Sequence, residues 1–282
     1  MDNLPSLAQT VKIHGLSANK KLGQHFLLDM NITDKIARLA MPLEGHSVAE
    51  IGPGPGGLTR ALLKNGAHQL LAIEMDDRFI PALEDVQVQS SDRLKILNAD
   101  ALKTHIPNHL SGDIKIAANL PYNVGTKLLI NWLTSKPLFW SQAVLMFQKE
   151  VAERVVAHPG DKAYGRLAIL AQSVADCHIA FDVPARAFSP PPKVDSAVVV
   201  LHPKPEQERY EDLKTLGKIT SAAFGQRRKM LRKSLKSIAK EENVTIEDWL
   251  SGCNIDPTHR PETLPIKAFQ DLTDFIRHQS KT

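Results

Sequence analysis

Short apolar runs alternate with helical spacing of apolar residues through the first half of this 282-residue chain. Such runs are typical of buried strands, whereas apolar residues three and four positions apart are typical of helices packed on one side. The pattern predicts helices at 58–63 and 125–134, and strands at 47–51, 69–73, 94–97, 114–118 and 143–147. Asp77 is a candidate N-cap for the helix after the second strand. Strands that alternate with helices indicate a parallel sheet covered on both faces.

The pattern changes in the second half of the chain. Residues 194–201 are rich in valine and follow a proline-rich loop, which predicts closing strands of the same sheet. Prolines interrupt the chain at 203 and 205, and helical spacing follows, at Leu213, Leu216, Ile219, Leu231, Leu235, Ile238, Phe269, Leu272 and Phe275. We therefore predict an α/β domain at 1–205 and a small helical domain at 206–282.

Composition limits the classes of protein that the chain can represent. Hydrophobic residues make up 43% and charged residues 23%, which is ordinary for a globular protein, and the net charge of +4 identifies no partner. Cys177 and Cys253 lie far apart, so neither a disulfide framework nor a zinc site is expected. The first twenty or so residues lack the apolar core of a secretory signal, and no apolar run reaches the roughly 20 residues that span a bilayer. We expect a cytoplasmic protein without membrane or metal.

A glycine-rich turn follows the first predicted strand and contains Gly52, Gly54 and Gly57. Glycines between a strand and a helix let the backbone approach a ligand closely, although an ordinary tight turn has the same composition. Glu74 ends the second strand, where a carboxylate can hold ribose hydroxyls, and Asp100 follows the third, where it could accept from an adenine amine. Together they indicate an adenosine-shaped pocket, suited to a nicotinamide dinucleotide or to S-adenosylmethionine.

The sequence Asn119-Leu120-Pro121-Tyr122 follows the fourth strand. An aromatic amine attacks a sulfonium methyl only if its lone pair leaves the plane of the ring. The Asn119 amide oxygen and the Leu120 carbonyl could accept its two N–H bonds and so orient that lone pair, while Pro121 restrains the backbone. Tyr122 offers a face on which a base can stack. A plain turn after a strand is the alternative interpretation.

At this point the chain resembles the ribosomal RNA adenine dimethyltransferases that act on small-subunit RNA. Beyond the two motifs above, matches run in the family's order at 21–28, 147–151, 164–167, 188–196 and 224–229. The resemblance implies a Rossmann-like class I methyltransferase sheet with a small C-terminal all-helical domain, and S-adenosylmethionine as cofactor. It implies methylation of N6 on two adjacent adenosines in a hairpin loop near the 3′ end of 16S rRNA, within an assembling 30S particle. We expect a monomer.

The same resemblance implies roles for individual residues. His25 and Leu27 should close over the cofactor, although many members have asparagine where this chain has His25. Gly52 should contact the methionine part of the cofactor, Glu74 its ribose and Asp100 its adenine. Asn119, which also lies beside the cofactor, and the Leu120 carbonyl should hold the target amine. Tyr122 and Phe188 should sandwich the flipped target adenine.

A basic stretch at 226–236 contains no acidic residue. Its cations form a candidate phosphate-binding patch, predicted to lie on one helix with Arg228, Arg232 and Lys236 on a shared face: Arg227, Arg228, Lys229, Arg232, Lys233 and Lys236. A solvated helix face is the plainer interpretation.

Three alternative functions stay open from the sequence. One is a nicotinamide-dependent oxidoreductase, which would leave residues 119–122 and the basic stretch unexplained. Another is a non-catalytic RNA-binding assembly factor that keeps the methyltransferase fold. The last is an antibiotic-resistance methyltransferase that acts on large-subunit RNA.

Overall fold

The structure, a computed structural model, describes residues 4–19, 23–226 and 229–279. It divides into two compact units. Unit 1 comprises Met1–Ala152 and His178–Pro203, and unit 2 comprises Glu153–Cys177 and Lys204–Thr282. The predicted boundary after residue 205 lies close to the C-terminal end of unit 1. The segment Glu153–Cys177, in contrast, was expected in the α/β domain and belongs to unit 2.

Long-range contacts explain where that segment belongs. Tyr164 is buried, and its hydroxyl donates to the Leu264 carbonyl oxygen at 3.0 Å. Its ring also packs edge-on against Phe224, with ring centroids 6.0 Å apart. These contacts join residues that are distant in sequence, so local patterning could not predict them.

The bounds of the elements follow chain order. The strands are β1 (Phe26–Leu27), β2 (Ser47–Ile51), β3 (Gln69–Glu74), β4 (Leu94–Asn98), β5 (Ile114–Asn119), β6 (Trp140–Gln148), β7 (Ala175–Val183), β8 (Phe188–Ser189) and β9 (Ser196–Pro203). The helices are α1 (Leu7–Ile13), α2 (Met30–Leu39), α3 (Gly57–Lys64), α4 (Ile80–Val88), α5 (Gly125–Leu133), α6 (Lys149–Val156), α7 (Arg166–Gln172), α8 (Leu213–Gly225), α9 (Leu231–Ser234), α10 (Lys236–Glu241), α11 (Ile246–Gly252) and α12 (Ile266–Gln279). Every strand predicted between 47 and 147 is confirmed.

The main sheet has seven strands in the order β4-β3-β2-β5-β6-β9-β7. Strands β2 to β6 pair in parallel, and β9 pairs antiparallel with β6. All five residues of β2 are buried, as expected for a strand covered on both faces. The strand order reverses on either side of β2, since β3 lies on one side of it and β5 on the other. In open α/β sheets, ligands bind at the carboxyl ends of strands beside such a reversal.

Two local predictions were wrong. The side chain that caps the turn before α4 is that of Asp76, which accepts from the Arg78 amide at 3.2 Å, whereas Asp77 accepts from the Asn98 side chain. The basic stretch does not form one helix, because α8 ends at Gly225 and Met230 has an extended backbone.

Backbone hydrogen bonding explains the break in the basic stretch. The Leu231 amide donates to the His259 carbonyl oxygen at 2.9 Å, so it takes its partner from a distant segment. The short helices α9 and α10 follow. The predicted shared face of Arg228, Arg232 and Lys236 on a continuous helix is therefore wrong. Arg227 and Arg228 lie outside the described residues.

No helix in the described part of the chain is both long and apolar enough to cross a membrane.

Candidate active site

A cavity of about 350 Å³ lies in unit 1 at the carboxyl ends of β2, β3 and β5. This volume is within the range of small-molecule sites, about 300–1,000 Å³. The structure brings together nearly all the residues predicted for the site, since the cavity wall includes His25, Leu27, Gly52, Glu74, Asp100, Asn119, Leu120, Pro121 and Tyr122. Phe188 is absent from the described residues that line it.

The glycine-rich turn after β2 is tightly packed against other parts of the site. Gly52 has a φ of +66°, a left-handed conformation that favours glycine, and a Cβ there would lie 3.6 Å from the ring of Pro121. At Gly57 a Cβ would lie 2.9 Å from a methyl group of Leu7 and 3.2 Å from the Leu27 carbonyl oxygen. The glycines therefore allow close approach of protein segments to the loop, as well as of a ligand.

Glu74 fixes the glycine-rich turn to the end of β3. Its Oε2 accepts from the Gly54 amide at 3.0 Å, and its Oε1 accepts from the amides of Met75 and Asp76, each at 2.9 Å. Burial raises the pKa of the Glu74 carboxyl, while these amides lower it in part. A carboxylate offers about four acceptor positions, so Oε2 keeps capacity for a ribose hydroxyl.

Glu50 is a site residue for which the sequence analysis predicted no role. It lies in the centre of the sheet, is 1% exposed and lines the cavity. Burial raises the pKa of its carboxyl to about 8, an effect that Thr59 partly offsets and Glu74 reinforces. Its Oε2 has no hydrogen-bond partner among the described residues. The available signal was an acidic residue between the apolar residues Ala49 and Ile51, directly before the glycine-rich turn.

Asp100 both closes a turn and lines the cavity. Its Oδ1 accepts from the Leu102 amide at 2.9 Å, which closes a turn of the capping kind, and the residue also lines the cavity. It thereby presents a carboxylate at the end of β4, beside the strand that ends at Glu74.

The segment Asn119 to Tyr122 leaves the end of β5 and turns immediately into α5. The Leu120 amide donates to the Met146 carbonyl oxygen of β6 at 3.2 Å, and the Pro121 carbonyl oxygen accepts from the Gly125 amide at 3.0 Å. The Asn119 side chain forms no hydrogen bond within the described part of the chain, so its amide is available to a ligand. The Tyr122 hydroxyl lies 2.8 Å from Ser196 Oγ.

The N-terminal segment lies along the cavity as expected. Gln24 donates to Asp76 Oδ2 at 2.9 Å, and the hydrogen bond from Arg78 lowers the pKa of Asp76 to about 2. His25 Nδ1 lies 2.8 Å from the Pro190 carbonyl oxygen, and β1 pairs with β8. The partners of this segment, like Ser196, come from distant parts of the sequence, and no local pattern identified them.

Phe188 occupies a different environment from the one expected. It is 4% exposed and belongs to the hydrophobic core that also contains Leu27 and Val198. Its partner in the β1–β8 pairing is Leu27. The Phe188 ring packs into the core in this structure, and its expected sandwich with Tyr122 around the target adenine stays a prediction.

The fixed charges along the cavity wall have one sign. The carboxylates that line it are Glu74, Asp76 and Asp100, since burial raises the pKa of the Glu50 carboxyl to about 8 and keeps that group mostly protonated near neutral pH. None of the described residues that line it is lysine or arginine. Within the described residues, no group of three or more His, Cys, Asp or Glu side chains could hold a metal ion. The cavity therefore favours a cationic ligand over an anionic one, such as a dinucleotide with its pyrophosphate.

Comparison with known proteins agrees with this geometry. Residues 15–277 match the family described as "Ribosomal RNA adenine dimethylase". The chain belongs to this family.

Relatives of this dimethylase-family chain cover nearly its whole length. A protein of Maricaulis maris named "Ribosomal RNA small subunit methyltransferase A" is 52% identical over 96% of this chain and 95% of its own. A Ruegeria protein of the same name is 55% identical over 95% of each chain. A dimethyladenosine transferase from Plasmodium falciparum has a similar structure, with a TM-score of 0.76 and 28% identity over 91% of this chain and 98% of its own. The 23S rRNA methyltransferase ErmE shares the fold, with a TM-score of 0.66 and 23% identity over 89% of this chain and 99% of its own.

Family membership confirms the predicted fold class, an α/β methyltransferase sheet with a C-terminal helical region, and the predicted enzyme class. A nicotinamide-dependent oxidoreductase is accordingly set aside.

Proposed function

We propose that the protein transfers methyl groups from S-adenosylmethionine to N6 of two adjacent adenosines in a hairpin loop near the 3′ end of 16S rRNA. The observation that carries the proposal is the cavity itself. It joins an adenosine-type site at Glu74 and Asp100 to the amine-holding segment at Asn119, and its fixed charges are acidic. The small-subunit names of the relatives favour this substrate over large-subunit RNA.

The residues of the cavity fit S-adenosylmethionine. The cofactor carries a sulfonium and an ammonium group, and the buried Glu50 carboxyl, with its unpartnered oxygen, can accept from a cationic donor. Glu74 would hold the ribose, Asp100 the adenine, and the Gly52 backbone the methionine part. When bound, this cofactor supplies a methyl group that is already activated as a sulfonium.

The chain itself contributes mainly position and orientation. The Asn119 amide oxygen and the Leu120 carbonyl accept the two N–H bonds of the adenine N6, so that its lone pair points into the cavity. Pro121 and the hydrogen bonds between its carbonyl and the start of α5 hold these acceptors in place. Tyr122 provides a stacking surface for the base, and the fixed hydroxyl of that ring limits its rotation. Correct alignment of two reacting groups lowers the barrier by about 7–11 kcal/mol in favourable cases.

The basic stretch in unit 2 is proposed to contact RNA phosphates. Its described cations are all exposed: Lys229, Arg232, Lys233 and Lys236. Arg227 and Arg228 would extend the same patch along the sequence. Although the stretch is not one helix, phosphate binding requires exposed positive charge rather than a helical face. Recognition of the target then depends on the shape of folded RNA and on unpaired bases.

We further infer that the protein acts on an assembling 30S particle, because the target bases must be accessible before the subunit is complete. We also infer that it acts in the cytoplasm and as a monomer. In this proposal unit 1 is the methyltransferase domain, and unit 2 contributes the RNA-binding surface.

The decisive experiment is transfer of labelled methyl groups to purified ribosomal subunits that lack these modifications. We expect label in the small subunit, mapped to N6 of two neighbouring adenosines near the 3′ end of its RNA. Label that enters only the large subunit would assign the protein to the resistance-type chemistry. Label in neither subunit, with cofactor bound, would favour the non-catalytic assembly factor.

A further inference from the structure

Arg60, on α3, is a buried arginine that holds the N-terminal helix α1. The residue is 7% exposed and is not among the described residues that line the cavity. Its Nη1 donates to the Pro5 carbonyl oxygen at 2.6 Å, and its Nη2 donates to Thr10 Oγ1 at 2.9 Å. Pro5 lies just before α1, and Thr10 is a buried residue within it. A buried guanidinium is costly to leave without acceptors, so these two bonds fix α1 against α3.

Helix α1 packs against the glycine-rich turn without lining the cavity itself. Leu7, at the start of α1, is 3% exposed, and a Cβ on Gly57 would lie 2.9 Å from its side chain. Gly57 is the first residue of α3 and lines the cavity, as does Leu27, whose carbonyl oxygen would lie 3.2 Å from the same Cβ. The position of α1 therefore limits how far this part of the cavity wall can move.

The chain that follows α1 packs against two aromatic residues of the cavity wall. Leu16 belongs to a small hydrophobic cluster that also contains Phe26 and Phe79. The rings of these two phenylalanines meet edge to face, with centroids 5.5 Å apart, and both residues line the cavity. Just after α1, His14 Nε2 lies 2.8 Å from Asp85 Oδ2 of α4. The segment from α1 to Leu16 thus supports the Phe26–Phe79 wall, and it is held by α3 at one end and by α4 at the other.

Helix α1 depends on these contacts for its conformation. It has seven residues, whereas isolated helices shorter than about 12 residues are marginal in water. The contact between His14 and Asp85 involves a largely exposed carboxylate, and such exposed pairs contribute little to stability. Hydrogen bonds from a buried charged donor are stronger than those between neutral groups. Arg60 is therefore the main polar anchor of α1.

We propose that Arg60 is a positioning residue for the cofactor: by holding α1 on α3, it keeps the Phe26–Phe79 wall in the conformation that binds S-adenosylmethionine. The inference rests on the proposed function, because it takes the cavity to be the cofactor site. Coupling between two parts of a protein is reciprocal, so cofactor binding must in turn stabilise α1. A side chain with a purely structural role would change the stability of the fold without this link.

Four substitutions test the anchor. Arg60→Met removes both donors and keeps an unbranched side chain, whereas Arg60→Lys keeps the charge and a donor. Thr10→Val removes one acceptor on the α1 side of the contact with little change of shape. Arg93→Met is the matched control, since the half-buried Arg93 donates to the carbonyl oxygens of Leu63 and Ala67, at 3.0 and 3.2 Å, around the C-terminal end of α3. Thermal unfolding of each full-length variant establishes that it is folded, and Thr10→Val carries the test if Arg60→Met is not.

Three measurements decide the matter. The first is the affinity for S-adenosylhomocysteine, by calorimetry at a temperature at which every variant is folded. The second is hydrogen exchange of the backbone amides of α1, with and without S-adenosylhomocysteine. The third separates KM for S-adenosylmethionine from KM for the undermethylated small subunit and from kcat.

We expect Arg60→Met to bind S-adenosylhomocysteine about fivefold or more weakly and to raise KM for S-adenosylmethionine similarly, as for loss of coupling between two sites. KM for the subunit and kcat should stay within about twofold, because the anchor acts on the cofactor wall and not on the amine-holding segment. Thr10→Val should lose about threefold in affinity and Arg60→Lys less than Arg60→Met, while Arg93→Met should stay within about twofold. In the unsubstituted protein, S-adenosylhomocysteine should slow exchange of the α1 amides.

An affinity for S-adenosylhomocysteine within about twofold of the unsubstituted protein in folded Arg60→Met overturns the inference. Where that variant does not fold, unchanged affinity in Thr10→Val has the same meaning. An equal loss in Arg93→Met also overturns it, because lower stability alone would then explain both losses. So does exchange of the α1 amides that S-adenosylhomocysteine leaves unchanged in the unsubstituted protein, because the reciprocal coupling would be absent.

Failure of the proposed function gives a different result. In that case the unsubstituted protein transfers no methyl group to the small subunit, whatever residue stands at position 60. The binding and exchange measurements do not require turnover, so they still decide whether Arg60 positions the cofactor wall. Absence of any S-adenosylhomocysteine binding by the unsubstituted protein overturns both.

Discussion

Replacing Glu50 by glutamine should change how the stability of the protein depends on pH. The carboxyl is 1% exposed, and burial raises its pKa from the ordinary value of 4.5 to about 8. The folded state therefore favours the protonated form, whereas the unfolded chain ionises near the ordinary value. As pH rises from about 4.5 to 8, the unfolded state is stabilised by ionisation and the folded state is not, so the free energy of unfolding falls.

The size of the effect follows from the pKa difference. Each unit corresponds to about 1.4 kcal/mol, so the loss amounts to about 2–3 kcal/mol between roughly pH 5 and pH 7. Glu50→Gln keeps the shape of the side chain and removes the ionisation. Relative to the unsubstituted protein, the variant should gain that amount of stability over the same interval.

Urea unfolding at about pH 5 and pH 7, with linear extrapolation to water, measures both free energies. Glu84→Gln, at an exposed position of unit 1, is the control and should follow the unsubstituted protein at both values. If the difference between Glu50→Gln and the unsubstituted protein stays constant with pH, the Glu50 carboxyl is ionised in the folded state. The argument from burial would then be refuted.

Three further predictions concern the site, the RNA surface and the N-terminal packing. Asn119→Ala should abolish methyl transfer, because the amine loses one of its two acceptors, while calorimetry should find S-adenosylhomocysteine affinity nearly unchanged. Neutralising Arg232, Lys233 and Lys236 together should weaken RNA binding. It should also reduce the slope of log affinity against log salt by about 2, measured by filter binding across salt concentrations. Gly57→Ala should lower the free energy of unfolding by about 1–3 kcal/mol in urea titrations, because its Cβ would lie 3.2 Å from the Leu27 carbonyl oxygen, a backbone atom that cannot turn aside as the Leu7 methyl group can.

Each of these has a matched control and a contradicting result. Asn131→Ala changes an exposed asparagine on α5 and should leave turnover intact. Full turnover in Asn119→Ala would contradict the proposed role of Asn119 in holding the target amine. For the cations, the control neutralises three exposed lysines of unit 1: Lys12, Lys64 and Lys103. An unchanged salt slope in the test variant would mean that the basic stretch does not contact RNA phosphates. Gly225→Ala adds a Cβ with nothing within 4 Å. Equal stability of the two alanine variants would contradict the packing argument.

The parts of the fold that could be predicted from sequence are those set by local patterning. The strands of the parallel sheet contain short apolar runs, as in the centre of β3, so their positions followed directly. The carboxyl ends of these strands meet at one edge of the sheet, which predicts that Glu74, Asp100 and Asn119 lie close together. Their convergence on one cavity agrees with that expectation.

The features that could not be predicted depend on contacts between distant segments. Phe188 was expected at the base site, but its pairing with Leu27 directs it into the core. The basic stretch was expected to be one helix, but the Leu231 amide bonds to His259 instead of to its own preceding turn. Tyr164 draws its segment into unit 2 through Leu264. In each case a hydrogen bond or core contact from far along the chain outweighs local propensity.

The short pairing between Phe26–Leu27 and Phe188–Ser189 joins two segments that lie far apart in the sequence. The first strand, β1, directly follows His25, which lines the cavity. The second strand, β8, leads into Pro190, whose carbonyl oxygen lies 2.8 Å from His25 Nδ1. A displacement of either member is transmitted to the other through their shared backbone hydrogen bonds. We therefore expect that a ligand which restricts movement of one strand also restricts movement of the other.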